Sequence, residues 1–82
     1  MVPRQFSSHD VLKVLDKAGW KRAGGSGGSH VTMTKRDHDG NKYTVTVALG
    51  YDPIPPGTIR SIAKQAGADD FDQFCRWIDR NR

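Results

Sequence analysis

The sequence predicts an α+β fold, a three-stranded antiparallel sheet with helices packed on one face, in the order α-β-β-β-α-α. Three observations carry this expectation. Apolar residues recur at helical spacing between Ser7 and Gly19, and two alternating runs, "HVTMTK" and "KYTVTVA", flank an Asp-Gly turn. Two further apolar stripes of helical period follow a proline-rich connection.

Helix one starts at Ser7 or Ser8, since either hydroxyl can cap the free N–H groups of a first turn. Val11, Leu12, Val14, Leu15 and Ala18 form its buried stripe, and Gly19 ends it. Trp20 to Ala23 is a candidate short strand. The glycine-rich segment Gly24 to Ser29 comes next, followed by the two alternating runs around "RDHDGN", which read as a hairpin. Their period of two directs Val31, Met33, Tyr43, Val45 and Val47 toward the helices. His30, Thr32, Thr34, Thr44 and Thr46 then face away, on the wet side of the sheet. Beyond "DPIPPG", Ile59, Ile62, Ala63 and Ala66 share one face of a second helix that Gly67 stops. Asp69 or Asp70 caps a third, whose stripe is Phe71, Phe74, Cys75 and Ile78. Trp20 and Trp77 are expected in the core, and His9 and His38 on the surface.

Gly24 to Ser29 has the composition of a flexible linker, but the segments on either side are only about 23 and 53 residues long, and domains under roughly 40 residues seldom fold alone. Residues 1–82 are therefore expected to form one domain, with the glycines inside it. The small apolar fraction, 35%, argues against a large enclosed cavity. The N-terminal "MVPRQFSSHD" lacks the apolar run of a signal peptide, and no stretch approaches the ~20 apolar residues of a membrane span. A lone cysteine, Cys75, excludes an internal disulfide and a thiolate metal cluster, so the expected setting is cytoplasmic with no membrane.

Charge separates the two halves. Residues 1–48 hold eight Lys or Arg against four Asp, and residues 49–82 hold five of each. The whole excess of the net +4 thus lies in the half that contains the glycines and His30. Such a distribution favours polyanions, nucleic acid first, because neutralised phosphates release counterions.

RNA cleavage without a metal needs a base for the 2′-OH proton, an acid for the leaving 5′-oxygen and positive charge at the phosphate. A histidine with an ordinary pKa near 6.5 suits both proton transfers. Gly24, Gly25, Gly27 and Gly28 lack Cβ atoms and would let backbone amides approach a phosphate, while Ser26 and Ser29 offer hydroxyls. Lys21, Arg22, Lys35, Arg36 and Lys42 are near enough in sequence to supply charge. No paired-cysteine or helical His-Glu pattern exists for a metal, and the loop lacks the spacing and lysine of a nucleotide-binding P-loop, so no cofactor is expected.

Taken together, Gly19-Trp20, the "GSH" of Gly28-Ser29-His30, a "DG" hairpin and "PPGTIRSIAKQAG" from Pro55 to Gly67 resemble the HicA family of toxins in order and spacing. The resemblance runs from helix one to Ala68. It implies a fold similar to double-stranded-RNA-binding domains, a ribonuclease activity on messenger RNA, a HicB-type antitoxin as protein partner, and His30 as the catalytic histidine. Gly28 and Ser29 come with His30 in that motif. The chain departs from the family's pattern at Gly27 and Val31, beside the motif, and in the strand exit "ALGYDP", so no second catalytic histidine is carried over. An alternative of a different class is a non-catalytic RNA-binding module on the same fold, in which shape and phosphate contacts suffice.

Overall fold

The computed structural model describes residues 5–23 and 28–82. The element order is α1 (Ser8–Lys17), β1 (Lys21–Arg22), β2 (His30–Arg36), β3 (Lys42–Ala48), α2 (Pro56–Gln65) and α3 (Phe71–Asn81). This is the expected α-β-β-β-α-α arrangement. The strands form one antiparallel sheet in the order β1-β2-β3.

Side-chain caps start α1 and α3, and proline starts α2. Ser7 is the N-cap of α1 and forms a reciprocal capping box: its hydroxyl accepts from the Asp10 N–H at 3.0 Å, and the Asp10 carboxylate accepts from the Ser7 N–H at 3.1 Å. Proline at the first position starts α2, where a missing N–H costs nothing. Asp70 caps α3 by accepting from the Gln73 N–H at 3.1 Å. Of the alternatives open in the sequence, Ser7 and Asp70 hold the capping positions.

The hairpin turn is built around Asp37. Its carboxylate accepts from the backbone N–H groups of Asp39 and Asn41, at 3.0 and 2.9 Å, and Gly40 adopts a φ of +88° that other residues resist. This turn fixes the register Val31↔Val47 and Met33↔Val45, which sends all four apolar side chains to the inner face.

On that face they meet Val11, Val14 and Leu15 of α1, Ile59 and Ile62 of α2, and Phe74, Cys75 and Ile78 of α3, all within one core. Tyr43 is half-buried and packs at the margin. Trp20 is buried as expected, while Trp77 is half-buried and meets the Phe74 ring at 5.9 Å between centroids. Phe6 and Ile54 complete the core from outside the regular elements, held together by an Ile54 N–H to Phe6 carbonyl bond of 2.8 Å. No helix among the described residues is long and apolar enough to cross a membrane.

Candidate functional site

The helices cover one face of the sheet and leave the other open. Directly opposed residues of an antiparallel pair share a face, so the register stacks four rows on the outer side. They are His30 with Ala48, Thr32 with Thr46, Thr34 with Thr44, and Arg36 with Lys42. Lys21 lies opposite Thr34 from β1 and extends the third row. His30 is exposed, as the alternation predicts for the first residue of β2.

Two local features orient this histidine. The Leu49 N–H donates to the Ser29 carbonyl at 2.9 Å, which continues the ladder past the strand end and makes His30–Ala48 the closer, non-hydrogen-bonded type of pair. The Ser29 hydroxyl lies 3.0 Å from His30 Nδ1. Whichever atom donates, Nδ1 is engaged and Nε2 is the nitrogen left for exchange with a ligand. In the sequence Ser29 is read as a phosphate donor; its neighbour's ring is the partner it has in the structure.

Ser8 supports the same end of the sheet from below. Its side chain is only 4% exposed; the hydroxyl donates to the Ala48 carbonyl at 2.6 Å and accepts from the Tyr51 N–H at 3.2 Å. The Ser8 N–H in turn donates to the Tyr51 carbonyl at 2.9 Å. Helix one thus pins the strand exit whose last residue faces His30. Leu49 and Tyr51, both exposed, project from this pinned exit. The only signal for Ser8 in the sequence is its place beside the capping serine.

Among the described residues, nothing lies within 4 Å of where a Cβ would stand at Gly28. The remaining loop residues proposed for phosphate contact, Gly24, Gly25, Ser26 and Gly27, lie outside the described residues.

The cations are placed differently from His30. Lys21, Lys35, Arg36 and Lys42 line an open groove of about 460 Å³, together with Gly19 and Thr34. This groove occupies the hairpin end of the sheet. At a strand rise of about 3.4 Å, Thr34 and its neighbour Lys21 lie roughly 14 Å along the sheet from His30, and Arg36 roughly 20 Å. Proximity in sequence therefore does not bring these four charges to the histidine. Arg22, opposite Met33, is exposed on β1. Two of the cations use neutral acceptors that leave their charge intact: Lys35 Nζ donates to the Ala18 carbonyl at 2.7 Å, at the negative end of α1, and Arg36 donates to the Gly40 carbonyl at 3.1 Å.

Asp37, in the hairpin turn beyond Arg36, is a carboxylate with a perturbed titration. The Asn41 N–H, with further help from the Asn41 side chain and the Asp39 N–H, holds it below the usual carboxylate value. It is turned inward to the hairpin loop. Among the described residues no three His, Cys, Asp or Glu side chains are grouped as metal ligands would be.

Comparison with curated proteins gives no match, and comparison with solved structures gives none. A family model does match: residues 8–68 fit that of the HicA toxin of bacterial toxin-antitoxin systems. The matched span starts at Ser8, includes the whole sheet and His30, and ends just beyond α2. It covers well over half of the chain, and this protein therefore belongs to the HicA toxin family.

Proposed function

We propose that this toxin is a metal-independent ribonuclease that cleaves messenger RNA, with His30 as its proton-transfer residue and a HicB-type antitoxin as its inhibitor. The observation that carries the reading is the pairing of Ser29 with His30 on an open sheet face. A histidine with Nδ1 held by a hydroxyl presents Nε2 in a fixed direction and needs little reorganisation to accept a proton. Nε2 takes the proton of the 2′-OH, the 2′-oxygen attacks the adjacent phosphorus, and the bond to the 5′-oxygen breaks as that oxygen gains a proton from a separate acid. The products are a 2′,3′-cyclic phosphate and a 5′-hydroxyl. Gly28, with no side chain and, among the described residues, open space where a Cβ would stand, suits a close approach of the phosphate. An antitoxin that lies over the outer face would exclude RNA from His30.

The direct test is incubation of the purified protein with single-stranded RNA in EDTA. Fragments that appear with wild type and vanish with His30→Ala support the proposal. RNA left intact by the wild type overturns it.

One observation favours the alternative, a non-catalytic RNA-binding module: the cationic groove is remote from His30, so phosphate binding there requires no chemistry. The same incubation separates the two, since a binding module retains RNA without shortening it.

A further inference from the structure

The outer face joins His30 to the cationic groove without interruption, and what lies between them is uniform. Thr32 with Thr46, and Thr34 with Thr44, form two rows of hydroxyl-bearing side chains. Among the described residues none of these four hydroxyls takes part in a hydrogen bond within the chain, while the backbone N–H of Thr46 is already satisfied by Gln65 at 3.0 Å. High strand propensity accounts for threonine as a residue type in a strand. It does not account for an outer face that carries a proton-transfer candidate at one end, unused hydroxyls in the middle and, at the other, cations that form no ion pair among the described residues.

We infer that this face is a track for a single RNA strand, with the reacting phosphate at His30 and phosphates several nucleotides away in the groove of Lys21, Arg36 and Lys42. This rests on the ribonuclease reading of His30 and extends it to the substrate, which must be a chain rather than a di- or trinucleotide. The span sets the length. About 20 Å from the His30 row to the Arg36–Lys42 row corresponds to about six nucleotides at the ~3.4 Å rise of a stacked strand, and to fewer if the strand is drawn out. The groove is not enclosed, which suits a backbone that passes through it better than a small anion held on all sides. Lys35 helps less directly, because it alternates to the helix side of the sheet, opposite Tyr43, where its ammonium donates to the Ala18 carbonyl.

The test uses 5′-fluorescein-labelled oligouridines of about three, six, nine and twelve nucleotides. Affinity is measured by anisotropy with full-length His30→Ala protein, which prevents cleavage, and cleavage is measured in parallel with wild type. Affinity should climb steeply between the three-mer and the nine-mer and then level off. The slope of log affinity against log salt should steepen over the same interval by roughly 0.7 for each phosphate gained. Adding Lys21→Gln and Lys42→Gln should weaken nine-mer binding about tenfold and reduce its salt slope by about 1.4, two contacts' worth. Neither lysine side chain makes a hydrogen bond among the described residues, so the melting temperature should hold. The salt slopes of the protein without these two changes supply a reading that needs no lysine variant. A slope that ignores oligonucleotide length, or a nine-mer affinity that ignores both lysines, overturns the track. If RNA of every length is bound as expected but left uncleaved by wild type, the catalytic reading of His30 fails and the track stands; cleavage that depends on His30 yet is indifferent to length does the reverse.

Discussion

The buried hydroxyl of Ser8 donates to the carbonyl of Ala48 at 2.6 Å, across 40 positions of chain, and Ala48 is the residue directly opposite His30. One hydroxyl therefore links the first turn of α1, the end of β3 and the candidate catalytic row. Because it also accepts from the Tyr51 N–H, it satisfies two backbone groups of a strand exit that has no further strand to pair with.

Ser8→Ala should be costly for a single oxygen atom. Losing the donor leaves the Ala48 carbonyl and the Tyr51 N–H without their partner, a penalty of about 1–3 kcal/mol. Chemical denaturation should show that loss in the midpoint with an unchanged slope. If His30 depends on this support, RNA cleavage should fall as well, even at temperatures where the variant is fully folded. Full activity per folded molecule would mean that β3 holds its position without Ser8.

The capping box makes a separate prediction about acid. Burial pushes the Asp10 carboxyl up, but the Ser7 N–H, the Arg82 guanidinium and the Ser7 hydroxyl together pull it below the usual value. Asp37 is also lowered, chiefly by the Asn41 N–H. Both groups bind protons more weakly folded than unfolded. The stability they add is complete above the ordinary carboxylate range, near pH 4, and is lost as pH falls through their lower folded values. Melting temperatures between about pH 6 and pH 2 should drop on the acid side, and Asp10→Asn should make that drop shallower. Ser7→Ala should cost about 0.5–2 kcal/mol at neutral pH, where the cap is intact.

Glycine substitutions should sort by geometry rather than by position in the chain. At Gly67 a Cβ would stand 2.8 Å from Tyr43 Cε1, and φ is +81°. Gly67→Ala should therefore destabilise by at least about 1 kcal/mol, through backbone strain and displacement of a ring packed against the core. Gly57 is the second residue of α2, with nothing among the described residues near the place of a Cβ, so Gly57→Ala should raise stability by up to about 0.5 kcal/mol, less than in a helix interior. Equal melting temperatures for the two variants would contradict this assignment.

How far the sequence exposed this architecture depends on whether a feature is periodic. Val31, Met33, Val45 and Val47 alternate, so their inward placement and the outward placement of His30 follow from a period of two. Val11, Leu12, Val14 and Leu15 recur at helical spacing and are buried as a stripe. Phe6 and Ile54 belong to no period, and only the folded chain reveals that 48 positions are bridged by a backbone bond between them. The charges around the candidate site were legible as residues but not as a location. Lys35 and Arg36 are five and six positions from His30, a separation that a helix would compress to about 8–9 Å and that an extended strand stretches to about 17–20 Å. Chain proximity and spatial proximity part because β2 runs straight from one to the other.

The remaining prediction compares His30→Ala with Gly28→Val. His30 is exposed and its contact is with Ser29, another exposed side chain, so His30→Ala should leave the melting temperature within about 1–2 °C while lowering cleavage by about 10²–10⁴-fold. Gly28→Val tests access rather than chemistry. Among the described residues nothing lies within 4 Å of the position a Cβ would take, so the melting temperature should hold, and a change in activity at unchanged melting points to the ligand's approach. A stiff β-branched group two residues before His30 should raise KM for RNA more than it lowers kcat, since it obstructs the phosphate without touching the ring. Ser29→Ala completes the series: it releases Nδ1, and the expected result is a lower kcat with KM little changed, because the hydroxyl that fixes the ring is gone. Wild-type cleavage by Gly28→Val would show that RNA does not pass over the loop, and wild-type cleavage by His30→Ala would remove His30 from the reaction.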